Sequence, residues 1–194
     1  MPPVSQRYRD ARRRQVLDAA RACFARKGFV ATSMQEICAK ARLSAGAVYG
    51  YFPSKDDLVA AIVDGVLTEI TVGLDTLERR DPPALHEAIA HVFAVLDQPE
   101  HSSELARLAV QVWAEAARNL ALKTRLAANH RELHARFTTL VRRCQRAGTL
   151  DPDLAADDLA QVLAALGPAF LAQRALLGNA VTAEVFTNGL RALV

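Results

Sequence analysis

Apolar residues recur along most of this chain at intervals of three and four, the rhythm of helices that each bury one face. Val16, Leu17, Ala20, Cys23 and Phe24 share a face of a first helix predicted from about Arg9 to Lys27, and Gly28 follows as its stop. Ser33-Met34-Gln35-Glu36 is a capping box that opens a short second helix ending near Ala41. Ser44 supplies the N-cap of a third short helix to about Tyr51, and Pro53 breaks the chain again. Ser54-Lys55-Asp56-Asp57 then caps a fourth helix, with carboxylates in the first turn where the helix dipole favours them. Leu58, Ile62, Val66, Ile70, Leu74 and Leu77 carry that helix to Asp81-Pro82-Pro83. Further apolar stripes predict helices over about 83–97, from Ser102 or Ser103 to Ala116, and over about 120–147. A nearly continuous apolar helix over 155–177 and a short one over 182–193 follow. No stretch alternates at period two between turn signals, so no sheet is predicted. The expected fold is all-α with about nine helices. Three form an N-terminal head over residues 1–53; the rest form a helical bundle body over 54–194, joined to the head by helix 54–80.

Composition narrows the class. With 51% apolar and 23% charged residues the chain is globular rather than disordered. Its 194 residues suffice to bury a core without disulfides or metals. Three cysteines, an odd and sparse set, fit a reducing compartment. Cys23 and Cys38 lie on apolar helix faces and read as small hydrophobes, with a redox switch as the alternative. The longest charge-free apolar stretch, Leu159 to Gln173, is too short to span a bilayer. Asp18, Arg21 and Arg26 interrupt the run that a signal peptide would need. A cytoplasmic protein with no membrane partner is expected.

The net charge of +3 conceals an asymmetry. Residues 1–60 hold 11 Lys/Arg against 5 Asp/Glu, whereas the remainder is mildly acidic, which points to a polyanion-binding head. Residues 33–52 read helix, tight turn, helix, the spacing of a helix-turn-helix whose second helix enters the DNA major groove. Ile37, Cys38, Leu43 and Val48 give it an apolar core, and Gly46 and Ala47 keep the second helix slim. Tyr49 and Tyr51 can each pack a ring and send a hydroxyl to phosphate. Lys55 sits where free helix N–H groups also suit a phosphate. Arg7, Arg9, Arg12, Arg13 and Arg14 are either a frayed, solvated terminus or an arm on the duplex.

Gly28-Phe29, the run Ala31 to Ile37 and above all the run Leu43 to Leu58 resemble the DNA-binding head of the tetracycline-repressor (TetR) family of transcriptional regulators. The close resemblance covers residues 12–62, and the later helices match the family only in number, length and order. It implies a head that binds double-stranded operator DNA, most often as a repressor. It also implies a divergent helical body that makes a homodimer through its last two long helices and holds a small-molecule ligand. By position it assigns DNA contact to Thr32, Ser33, Gln35, Ser44, Ala45, Ala47, Tyr49, Gly50, Tyr51 and Lys55. Arg42 stands where the family usually has Gly. Either the turn differs, or Arg42 holds a positive φ at about 1 kcal/mol and adds a phosphate contact. Ala47 stands where Thr is common, so one hydroxyl is missing. With Ala45, Ala47 and Gly50 on the recognition helix, readout is expected to lean on Gln35, Ser44, methyl contacts and DNA shape.

Phe93, Trp113, Phe137 and Phe170, with Gln173 and Arg174 near the same face, are either plain core or the wall of a ligand pocket. The two polar residues could equally lie in a dimer contact, which the apolar surplus of Leu159–Leu177 and of Val185, Phe186, Leu190 and Leu193 also suits. In the mechanism this implies, ligand in the body changes the spacing of two recognition helices, and the fourth helix carries the shift.

Other chemistries find little support. His86 and His91 are five apart and point about 140° apart on a helix, too far to share a metal. His130 and His134 are four apart, but no third ligand is near. No phosphate loop, carboxylate pair or nucleophile turn is present, so no enzyme, metal or cofactor is expected. The alternative is a non-specific structural DNA-binding protein without a ligand. A small helical enzyme with an incidental basic head stands third.

Overall fold

Ser5 starts the first helix one turn earlier than the apolar rhythm suggests: its hydroxyl accepts the Tyr8 backbone N–H at 3.3 Å, an N-cap. The computed structural model describes residues 5–80, 85–98 and 102–191. Among these are nine α-helices and no strand: α1 (Gln6–Lys27), α2 (Met34–Ala41), α3 (Ala45–Tyr51), α4 (Lys55–Glu78), α5 (Leu85–Leu96), α6 (Ser102–Ala116), α7 (Leu120–Arg146), α8 (Ala156–Leu177) and α9 (Ala183–Arg191). A 3-10 turn, Gly178–Ala180, precedes α9. Arg7, Arg9, Arg12, Arg13 and Arg14 all lie on the capped helix α1 rather than on a frayed end, and all but Arg12 are exposed there. The chain divides into two compact units, Met1–Val63 and Asp64–Val194.

The first unit is built on buried Val16, Ala20, Cys23 and Phe24 of α1, with Phe29, Ile37, Cys38, Val48, Phe52 and the Leu58–Ile62 turn of α4. The Phe24 and Phe29 rings pack tilted at 5.5 Å. Polar ties fix the geometry of α1 and α2. Gln15 donates to the Ala41 carbonyl at 2.7 Å, and Lys27 pairs with Glu36.

In the second unit α8 packs against α6 and α7, and α5 packs against α9. Its core gathers Val66, Ile70 and Leu74 of α4 with Phe93, Phe137, Leu140 and Phe170. The sequence sets α8 aside as a membrane span because its charge-free run, Leu159 to Gln173, is short. The whole stretch Ala156–Ala180 is nevertheless long and apolar enough by length and composition, and the helix continues through Pro168. In this fold α8 is a core helix: Ala160, Leu163, Ala164, Phe170 and Leu171 are buried among its neighbours.

A buried ion pair ties three of these helices together. Arg174 of α8, 8% exposed, pairs with Asp97 just beyond α5 and donates to the Val181 carbonyl at 2.7 Å. The other Asp97 oxygen accepts the Ala183 N–H at 2.8 Å, capping the start of α9.

Candidate nucleic-acid interface

The helix-turn-helix is α2 and α3. Ser33 caps α2 reciprocally with Glu36: its Oγ accepts the Glu36 N–H at 3.2 Å, while its own N–H donates to Glu36 Oε2 at 2.9 Å. The Lys27 ammonium, then the capping-box donors, hold the Glu36 carboxyl well below the usual range, at about 2. Gln35 is exposed on the first turn of α2.

Arg42 has φ 54° and ψ 41°, the left-handed conformation. Of the two alternatives the sequence left open, the turn keeps its ordinary shape and a non-glycine residue occupies it. The left-handed cap lets the Arg42 and Leu43 N–H groups reach the Ala39 and Cys38 carbonyls at 3.1 and 3.2 Å, closing the C-terminus of α2. Ser44 then caps α3, its Oγ accepting the Ala47 N–H at 3.3 Å.

Val48 and Phe52 anchor α3 in the core, with Val48 fully buried. That anchoring turns Ala45, Gly46, Tyr49 and Gly50 outward, with Tyr49 46% exposed. Ala47 and Tyr51 are half-buried at the edges. Gly46 and Gly50 have open space where a side chain would stand, so nothing within the head obstructs a close approach along this face.

Two expected contact residues do something else. Thr32 is 1% exposed, and its hydroxyl lies 2.7 Å from the Gly28 carbonyl and 3.2 Å from that of Cys23. Its one hydrogen goes to the carbonyl just past the end of α1, so it offers no hydroxyl to a duplex. Lys55 donates to the Phe29 and Val30 carbonyls at 3.0 and 3.1 Å and lies 4.9 Å over the Phe29 ring. It ties the first turn of α4 to the α1–α2 loop, because carbonyls with no helical partner are the nearest acceptors for its ammonium.

The aromatic residues assigned to a ligand wall are largely core. Phe93 and Phe170 pack at 5.5 Å, and both meet Phe186 of α9 edge-on, at 5.0 and 5.3 Å. Phe137 is buried in the same cluster and Trp113 is half-buried against it. Gln173 and Arg174 do not share a face: Gln173 is exposed while Arg174 is buried on Asp97. One helical step of about 100° separates them, enough to send one out and one in. On the α4–α5 side of this unit is an open depression of about 510 Å³ lined by Gly73, Thr76, Leu77, His86, Glu87 and His91, among others. The His91 ring lies where a Gly73 side chain would be, with Nε2 3.3 Å from the Glu69 carbonyl, so only glycine permits that approach.

His130 and His134 turn to different partners, near Gln161 and the Asp157 carbonyl respectively. Among the described residues no group of three His, Cys, Asp or Glu side chains could hold a metal ion.

A capped two-helix unit with an outward face of small residues and tyrosine is the geometry of a helix-turn-helix DNA-binding unit. Comparison with known proteins extends that class. Residues 16–62 match the bacterial regulatory proteins of the tetR family, and residues 84–194 match the C-terminal region of BetI-type transcriptional repressors. The HTH-type transcriptional regulator UidR of Escherichia coli strain K12 is 28% identical over 188 residues, covering 94% of this chain and 90% of its own. The HTH-type transcriptional regulator BetI of Burkholderia ambifaria strain MC40-6 is 28% identical over 184 residues, covering 93% and 90%. The solved complex of SmeT with triclosan is 27% identical, with a TM-score of 0.76 over 90% of this chain and 85% of that one. The chain belongs to the tetR family of bacterial transcriptional regulators.

Proposed function

We propose that this protein is a cytoplasmic repressor that binds operator DNA as a homodimer and is released by a small molecule held in its body. The outward face of α3, with Ser44, Ala45, Tyr49 and Gly50 set by buried Val48 and Phe52, carries the DNA-binding part of this reading. Ser33, Gln35, Ala47, Tyr51 and Arg42 flank that face. The contact surface on this reading omits the buried Thr32 side chain, and Lys55 serves it by fixing the preceding loop.

Repression is supported by the match to BetI-type repressors over the body. A ligand is supported by the triclosan held by the similar SmeT. The small molecule's place on this reading is beside half-buried Trp113 at the edge of the aromatic core, and the packed Phe93, Phe137 and Phe170 rings have to part to admit it by apolar contact. Arg174 is committed to Asp97, and Gln173 faces outward, so neither orients it. Homodimerisation is supported by exposed apolar residues on the last two helices: Val162, Leu176 and Leu177 of α8 and Val185 of α9. Residues 1–53 then act as the reading head and 54–194 as the sensing body, with α4 passing the signal along.

A second reading, sequence-independent DNA binding without a ligand, is favoured by the few hydrogen-bonding side chains on α3. Selection of genomic fragments by the purified protein, repeated with candidate small molecules, separates the two. The repressor reading expects a small set of palindromic fragments, released by at least one compound. Uniform recovery of fragments, insensitive to every compound, overturns it.

A further inference from the structure

Where the end of α2 meets α1, the first unit gathers exposed positive charge. The N-terminal half of α1 and the C-terminal end of α2 enclose an open groove of about 520 Å³. Arg14, Lys40 and Arg42 line it, with Ala11, Gln15 and Asp18 among the others. Among the described residues none of the three cationic side chains makes a hydrogen bond or an ion pair, and all three are exposed. Asp18 is the one carboxylate among the lining residues, so positive charge stays in excess.

The walls are held in place. Gln15 takes a hydrogen bond from Arg12 at 2.7 Å on its amide oxygen and donates through its nitrogen to the Ala41 carbonyl at 2.7 Å. This fixes the end of α2 against α1, next to Arg14 on one side and next to Arg42 on the other. The third cation is placed by a strained backbone: Arg42 is the non-glycine residue at positive φ among the described residues. A residue kept in a costly conformation with its charge unpaired invites a functional reading. The competing explanation is local, since Lys40 and Arg42 also offset the negative end of the α2 dipole. That explanation leaves Arg14 unaccounted for.

We propose that the Arg14–Lys40–Arg42 groove seats a backbone phosphate of the bound duplex, a contact separate from the face of α3. This rests on the reading that the head binds DNA. Phosphodiester is favoured over a free anion because the groove is open and solvated. Three flexible cations there can neutralise a polyanion, but they form no enclosed cage for a small ion.

The test is the salt dependence of binding to a random-sequence duplex, measured with the full chain and with Arg14→Gln, Lys40→Gln and Arg42→Gly. Each variant should lose about 0.9 from the slope of log affinity against log salt, and the triple variant about three times that. Arg42→Gly safeguards the fold, because glycine adopts this turn freely; its melting temperature should not fall. A wild-type slope in all three variants, with lower melting temperature in Lys40→Gln, overturns the proposal in favour of dipole compensation. Saturable binding of inorganic phosphate to the free protein, abolished by the variants while duplex slopes stay unchanged, overturns it in favour of a free-anion site. If the wild-type chain binds no duplex at any salt, the functional reading fails along with the groove. If it footprints an operator but the slopes are unchanged, the groove alone fails.

Discussion

At the residue scale, the head depends on side chains whose jobs are easily confused from sequence. Thr32 and Ser33 are adjacent hydroxyl residues at the entrance to α2, yet one is buried as a carbonyl partner and the other is exposed as a cap. Thr32→Val keeps the volume and removes the hydroxyl. It should destabilise the head by about 1–2 kcal/mol in urea unfolding, because the Gly28 carbonyl loses its donor. The salt slope of DNA binding should stay unchanged, since no phosphate contact is lost. Glu36 gives a pH prediction. Its carboxyl sits at about 2 when folded against an ordinary 4.5, so the folded state binds fewer protons than the unfolded state between these values. The stabilisation is therefore complete above about pH 4.5 and is lost as pH falls toward 2. Thermal melts of wild type and Glu36→Gln should converge across that window, and converge less steeply in high salt, because the pair is exposed. Arg42 was legible as a departure from the family's glycine. Its left-handed backbone was one of two alternatives, and only the geometry chose between them.

At the element scale, the helices were readable because each carries its own punctuation: Ser33 with Glu36, Ser44, and the Asp56–Asp57 turn are local signals. What the sequence left out is long-range. Asp97 and Arg174 are 77 positions apart, and no periodicity links them. Their pairing moved Arg174 from an expected pocket wall to a buried support for α9. Removing the carboxylate with Asp97→Ala leaves a buried guanidinium without its counter-ion and the Ala183 N–H without its acceptor, with Thr182 as the remaining side-chain cap of α9. It should cost about 3 kcal/mol in body stability and raise hydrogen exchange in α9 ahead of α7. Equal exchange in both helices would show that the pair does not hold α9. Phe186 was grouped with the dimer-forming apolar surplus. Its edge-on packing on Phe93 and Phe170 shows instead that it fills the core. Gln173 and Arg174 were read together because they are neighbours in sequence, whereas neighbours on a helix point in different directions.

At the scale of the whole molecule, the all-α architecture was legible from composition and period. The outer faces were not, because a lone chain leaves open what covers them. Leu176, 83% exposed near the end of α8, is the sharpest marker of a surface that a second copy would bury. Leu176→Glu together with Val162→Glu should give monomers by sedimentation equilibrium while far-ultraviolet dichroism stays unchanged. Operator affinity should then fall by at least 10-fold, since two linked heads gain from effective concentration. The central claim is that α3 reads a duplex in two matched copies, and footprinting on a fragment selected from genomic DNA tests it most directly. The account predicts two protected half-sites centred about one helical turn apart, roughly 34–36 Å, lost together when Tyr49 and Ser44 are both replaced by Ala. Protection spread evenly along every fragment, or none at any salt concentration, would contradict it.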